Sequence, residues 1–198
     1  MRNKILVDPK AKALIFDCDG TLVDSMPLHM KAWEEAVLDA GLRFDYDFFF
    51  SRKGIPSRHI MSEYCLQNSF DVDVEKVIDA KNNIYRSGLK TVGPLEPVVQ
   101  IAVEFKDKLP MAVVSGERKI NVHESLTNIG IIELFQIIIT SDDLFKPKPA
   151  PDKFLEAARL LNIEPEFCQV FEDGDSGIEA AIKANMIITD VRPYLENN

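Results

Sequence analysis

Ala13-Leu14-Ile15-Phe16-Asp17-Cys18-Asp19-Gly20-Thr21-Leu22-Val23-Asp24-Ser25 is the stretch on which the reading of this chain turns. Its four leading apolar residues describe a strand buried on both faces, the kind found inside a parallel sheet. The run stops at two carboxylates, Asp17 and Asp19, and then at Gly20. Carboxylates two positions apart at a strand end repel one another, and a divalent cation offsets that repulsion. Taken alone, Asp-x-Asp is also what a hydrophilic turn looks like, so the surroundings must decide.

Outward from this stretch, further short apolar runs lie at Met111–Ser115, Ile137–Ser141, Cys168–Glu172 and Met186–Asp190. Helical periods separate them: Val122, Leu126 and Ile129 closed by Gly130, then Phe154, Ala158 and Leu161, then Ile178, Ala181 and Ile182. Alternating strand and helix predicts an α/β fold, a Rossmann-like parallel sheet of about five strands flanked by helices. Such sheets place ligands at the carboxyl ends of their strands. From Met26 to Thr91 no strand-like run appears, and Leu28, Ala32, Ala36 and Ala40, then Ile60 to Leu66, then Val74 to Leu89, read as helix. The expected organisation is therefore an α/β core of residues 1–25 and 92–198, with residues 26–91 inserted as an all-helical cap. Its connections fall at Asp24–Pro27 and Thr91–Pro94.

Composition removes several function classes. The 198 residues carry 23 basic and 32 acidic side chains, a net charge of −9, which argues against a nucleic-acid partner. With 46% of its residues apolar the chain can build a sizeable core. Three scattered cysteines, Cys18, Cys65 and Cys168, make no disulfide framework and fit a cytoplasmic setting. Ile5-Leu6-Val7 is cut by Asp8-Pro9, too short for a secretory core, and no apolar run approaches the ~18 residues of a spanning helix. No membrane partner is expected, and no surface pattern points beyond a monomer.

The string Asp-x-Asp-Gly-Thr-Leu-x-Asp-Ser after a buried strand resembles the signature of the haloacid dehalogenase superfamily. Ser115-Gly116 is similar to the second motif, Lys148 in Lys148-Pro149-Ala150-Pro151-Asp152 to the third, and Glu172-Asp173-Gly174-Asp175-Ser176-Gly177 to the fourth. Lys146-Pro147 precedes Lys148-Pro149, and Lys148 is preferred because the helix from Phe154 follows at the family's spacing. The resemblance implies a phosphoric monoester hydrolase. Asp17 would be the nucleophile, and Asp19 would protonate the leaving oxygen and later take a proton from water. Mg²⁺ would be held by Asp17, the Asp19 main-chain carbonyl and Asp173, with Glu172 orienting metal-bound water. Ser115, the Gly116 amide and Lys148 would bind phosphate. Asn185 stands where relatives often have Gly, a left-handed position that Asn tolerates.

The helical insertion resembles that of the small-cap subfamily, which includes β-phosphoglucomutase and fructose-1-phosphate or 6-phosphogluconate phosphatase-like members. The implied substrate is a small phosphorylated metabolite, a sugar phosphate, with a sugar phosphomutase as the alternative. In the cap, Lys53-Gly54-Ile55-Pro56-Ser57-Arg58 is a turn leading into a helix, which either aims Arg58 at the active site or leaves it solvated. His29 is either near the substrate and hinge or a packing residue. Trp33 reads as core, and Lys81-Asn82-Asn83 as a polar face, with a contact to sugar hydroxyls as the alternative.

Overall fold

The computed structural model describes residues 4–195; residues 1–3 and 196–198, at the ends of the expected core, lie outside the described residues. Strand β1 (Ala13–Phe16) is followed by α1 (Met26–Asp39), α2 (Tyr46–Phe50), α3 (Ser57–Asn68) and α4 (Val74–Gly88). The chain then alternates through α5 (Glu96–Glu104), β2 (Met111–Val114), α6 (Lys119–Asn128), β3 (Ile137–Ile139), α7 (Asp152–Leu161), β4 (Cys168–Glu172), α8 (Asp175–Lys183), β5 (Ile187–Asp190) and α9 (Arg192–Leu195). The five strands run parallel in the order β3-β2-β1-β4-β5. The expected α/β class and strand positions hold to within two residues. At the carboxyl ends the bonding outlasts the strands, because Asp17 N donates to Phe171 O at 3.0 Å and Ser115 N to Ile139 O at 2.9 Å. Functional side chains therefore begin on backbone the sheet still grips.

Alternation along β1 sorts its side chains onto two cores. Leu14 and Phe16 join Met111, Val113 and Phe171 beneath α5 and α6, while Ala13 and Ile15 join Ala112, Val114 and Val170 beneath α7 and α8. Helix α5 was not singled out by its pattern. Its Val98, Val99, Ile101 and Ala102 are all buried, which widens the apolar stripe beyond a simple amphipathic period.

The helical insertion has a third core, in which Trp33, Val37, Phe49, Met61, Tyr64 and Val77 pack together. Asp45 and Asp73 start α2 and α4 by accepting the backbone N–H three residues on, at 3.0 and 3.3 Å. Its two connections lie side by side: Asp24 N donates to Gly93 O and Leu95 N to Leu22 O, each at 2.9 Å, with a bridge between Val23 and Pro94. Among the described residues no helix is long and apolar enough to cross a membrane.

Candidate active site

The carboxyl ends of β1, β2 and β4 converge, as the switch in strand order around β1 requires. Asp17 is 3% exposed and its Oδ1 accepts from Lys148 Nζ at 2.6 Å. The same ammonium donates to Glu172 Oε2 at 2.7 Å and to the Val114 carbonyl at 3.1 Å. Burial, and next the Glu172 charge, hold the Asp17 carboxyl well above the usual range against the pull of Lys148. Burial likewise raises Glu172. For Lys148 burial works downward, but the Asp17 and Glu172 charges outweigh it and keep the ammonium protonated.

Asp173 completes the group: it, Asp17 and Glu172 each offer an oxygen within 4.8 Å of the others. Thr21 Oγ1 donates to Asp173 Oδ1 at 3.0 Å, and Lys53 Nζ donates to Oδ2 at 2.8 Å. Gly20 has a φ of +86°, and a Cβ there would lie 2.6 Å from Asp173 Oδ2, so both conformation and space demand glycine. Hard oxygens in this number suit Mg²⁺, and Lys53 shows that the cluster draws positive charge from the insertion.

Asp19 is held differently. Ser25 Oγ, His29 Nε2 and Tyr85 OH lie 2.7, 3.1 and 3.1 Å from its Oδ1, and the His29 ring stacks on Tyr85 with centroids 4.0 Å apart. Burial would raise the Asp19 carboxyl, but the His29 charge and these hydrogen bonds hold it well below the ordinary value. The two aspartates thus carry opposite tendencies. Ser115 Oγ lies 3.5 Å from Asp19 Oδ2 and accepts the Glu117 N–H at 2.9 Å.

One cavity is lined by Asp17, Asp19, His29, Ser115 and Gly116 from the expected set, joined by Arg52, Lys53, Lys81 and Glu117. Lys148, Glu172 and Asp173 stand directly behind Asp17. Lys81 corrects the polar-face reading: it is 1% exposed, and its Nζ donates to Glu117 Oε2 at 3.0 Å across the interface between α4 and the loop after β2. Trp33 belongs to the insertion core and also lines the cavity. Arg58 is not brought to this cavity, because its guanidinium pairs with Glu75 at 2.8 Å on the exposed side of α3 and borders a neighbouring groove. The loop before α3 reaches the core with other atoms: Ser176 Oγ donates to Lys53 O at 2.9 Å, and Gly54 packs directly on Gly116. Lys53 carried a signal in its place beside Gly54; Glu117, one residue past Ser115-Gly116, carried none by type.

The sequence model of the family described as haloacid dehalogenase-like hydrolase matches residues 14–191, from β1 to the end of β5. The chain belongs to this family. Among haloacid dehalogenase-like hydrolases, it is 36% identical over 180 residues to the fructose-1-phosphate phosphatase YqaB of Escherichia coli, covering 90% of this chain and 95% of the relative. It is 28% identical to the beta-phosphoglucomutase of Bacillus subtilis, over 91% of this chain and 83% of that one. The crystal structure of a beta-phosphoglucomutase from Clostridium difficile superposes with a TM-score of 0.78 at 27% identity, over 90% of this chain and 83% of the other.

Proposed function

We propose that this hydrolase is a Mg²⁺-dependent phosphatase of a small phosphorylated metabolite, a sugar phosphate, acting through an aspartyl phosphate on Asp17, with residues 26–91 as its cap. The observation that carries the reading is the single cavity shared by Asp17, Asp19, Ser115 and Gly116 and covered by Lys53 and Gly54. Lys148 engages Asp17 Oδ1, which leaves Oδ2 to attack phosphorus. As that bond forms, the bond to the leaving oxygen breaks and Asp19 protonates that oxygen; water then attacks the phosphoryl group and gives a proton to Asp19 while the bond between Asp17 and phosphorus breaks, which frees inorganic phosphate and restores the Asp17 carboxylate. The contacts around Asp19 favour its ionised form, the one that takes a proton from water, and His29 at 3.1 Å is the adjacent proton carrier for the other half. Ser115 and the Gly116 N–H would hold phosphate oxygens, with Lys148 supplying charge behind them. Asp17, the Asp19 main-chain carbonyl and Asp173 would hold Mg²⁺, which would offset repulsion between carboxylate and phosphate, and Glu172 would orient water beside it.

Lys81, Glu117 and Arg52 offer donors and acceptors for hydroxyls, while Trp33 and Ile60 offer apolar surface for a sugar ring. Closure by Lys53-Gly54 restricts water, a feature that would equally serve a mutase passing the phosphoryl group to a second hydroxyl. Phosphate release across sugar phosphates with Mg²⁺, led by fructose 1-phosphate, tests the reading, with a chelated control expected to be inactive. Isomerised sugar phosphate in place of free phosphate would select the mutase; activity surviving thorough chelation would remove the metal.

A further inference from the structure

Lys153, on the first turn of α7, is buried, 3% exposed, and is used by none of the steps above. Its ammonium donates to the Ser115 carbonyl at 3.3 Å and to the Thr140 carbonyl at 2.5 Å, spanning the ends of β2 and β3. The Ser115 C=O and the Gly116 N–H belong to one planar peptide unit and point in opposite directions. Among the described residues the Gly116 N–H has no protein acceptor, and Gly116 lines the cavity beside Asp17. A cation on the carbonyl side of a peptide draws electron density toward the oxygen and makes the N–H a better donor.

We propose that Lys153 is a positioning residue that fixes and polarises the Ser115–Gly116 peptide, so that the Gly116 N–H binds the phosphoryl oxygens of the substrate. This rests on the phosphatase reading and adds to it a residue that touches neither substrate nor metal. The Thr140 contact keeps the ammonium from swinging away, and the bond from Ser141 N to Glu117 O at 2.9 Å ties the same loop to β3 from its other side. The neighbourhood makes the charge reversible. Burial and then Lys148 bring the Lys153 ammonium down to about 8, against the opposing pull of Asp143, Asp142 and Asp17. Loss of that proton removes the polarisation, so the grip on phosphate weakens in mild alkali.

The experiment measures inhibition by inorganic phosphate in the Mg²⁺-loaded enzyme, for wild type, Lys153→Met and Lys153→Arg. The expected result is a phosphate inhibition constant raised about tenfold in Lys153→Met, with KM rising more than kcat falls, and recovery to within about threefold in Lys153→Arg. Wild type that neither binds phosphate nor releases it from esters overturns this proposal together with the phosphatase reading. Wild type that binds phosphate while Lys153→Met matches it, or while Lys153→Arg is as weak as Lys153→Met, overturns the role of Lys153 alone. Should Lys153→Met fail to fold, wild type still decides: the Gly116 amide nitrogen resonance should shift together with the Lys153 ammonium signal as that group loses its proton in alkali, and a resonance that stays fixed through the titration of Lys153 overturns the proposal.

Discussion

Replacing Gly116 with alanine tests whether the contact between the cap loop and the core sets the rate. A Cβ built on Gly116 would lie 2.7 Å from the carbonyl carbon of Gly54, where carbon atoms prefer about 3.5–4.0 Å. The neighbour is backbone and cannot rotate away, so the Lys53-Gly54 turn must withdraw by about 1 Å. A shift of that size stretches two contacts made by the same turn, Lys53 Nζ to Asp173 Oδ2 at 2.8 Å and Ser176 Oγ to Lys53 O at 2.9 Å. Misplacement by about 1 Å at a closed site costs on the order of 100-fold in rate, and we expect kcat for the best sugar phosphate to fall by about that factor. The fold should survive, because the helical insertion has a hydrophobic core of its own. Gly93→Ala supplies the control, since its Cβ would meet nothing within 4 Å. The assay is steady-state phosphate release, with thermal unfolding alongside. A Gly116→Ala enzyme within about threefold of wild type would refute the view that this contact closes the site.

Asp17→Asn should abolish turnover, whereas Asp19→Asn should slow proton-dependent steps by about 10²–10⁴-fold and give a burst of p-nitrophenolate from p-nitrophenyl phosphate without steady turnover; a phosphoryl group trapped elsewhere than Asp17 would defeat the assignment. Lys148→Met leaves Asp17 and Glu172 buried without their shared partner and should cost about 3–5 kcal/mol, read by chemical denaturation; an unchanged midpoint would contradict it. Glu117 would be raised by burial, but Lys81 and then His29 hold it below the ordinary value. A depressed carboxyl contributes stability above its unfolded value, about 4.3, and loses it as the pH falls through the folded one. Glu117→Gln should therefore be less stable than wild type at pH 7, with the gap shrinking below about pH 4; a gap independent of pH would show that the charge does not stabilise.

The strands and the motif residues were legible because both are local. Ile15 and Phe16 announce a buried strand by their neighbours alone, Asp17, Ser115 and Asp173 sit directly after strands that hydrophobic pattern locates, and Lys148 is placed by the helix that begins four residues on. Asn185, read as a left-handed residue, has a φ of 57° and lets Met186 N close α8 on Ala181 O, so β5 starts one residue late. Lys81 was illegible for the opposite reason. It follows Ala80 and precedes two asparagines on a polar-looking turn, and only Glu117, 36 residues away, makes its burial affordable. Arg58 shows the same limit: the turn before α3 does face the core, but with Lys53 and Gly54, while Glu75 draws the guanidinium outward. Which end of a polar turn points inward depends on packing that no single window contains.

The clasp between Leu22–Asp24 and Gly93–Leu95 leaves the sheet indifferent to what lies between them. Because the chain leaves and returns at adjacent points tied by backbone hydrogen bonds, the central strand feels a tight loop rather than a long detour. Side chains add to that fastening from the core, where Leu22, Val23 and Val92 are buried and Asn128 Nδ2 donates to the Val92 carbonyl at 3.3 Å. The helical insertion is in effect a cassette: any folded segment with ends equally close could be spliced into the same socket, and if residues 26–91 act as the proposed cap, one hydrolytic floor could acquire new substrates by exchange of the ceiling.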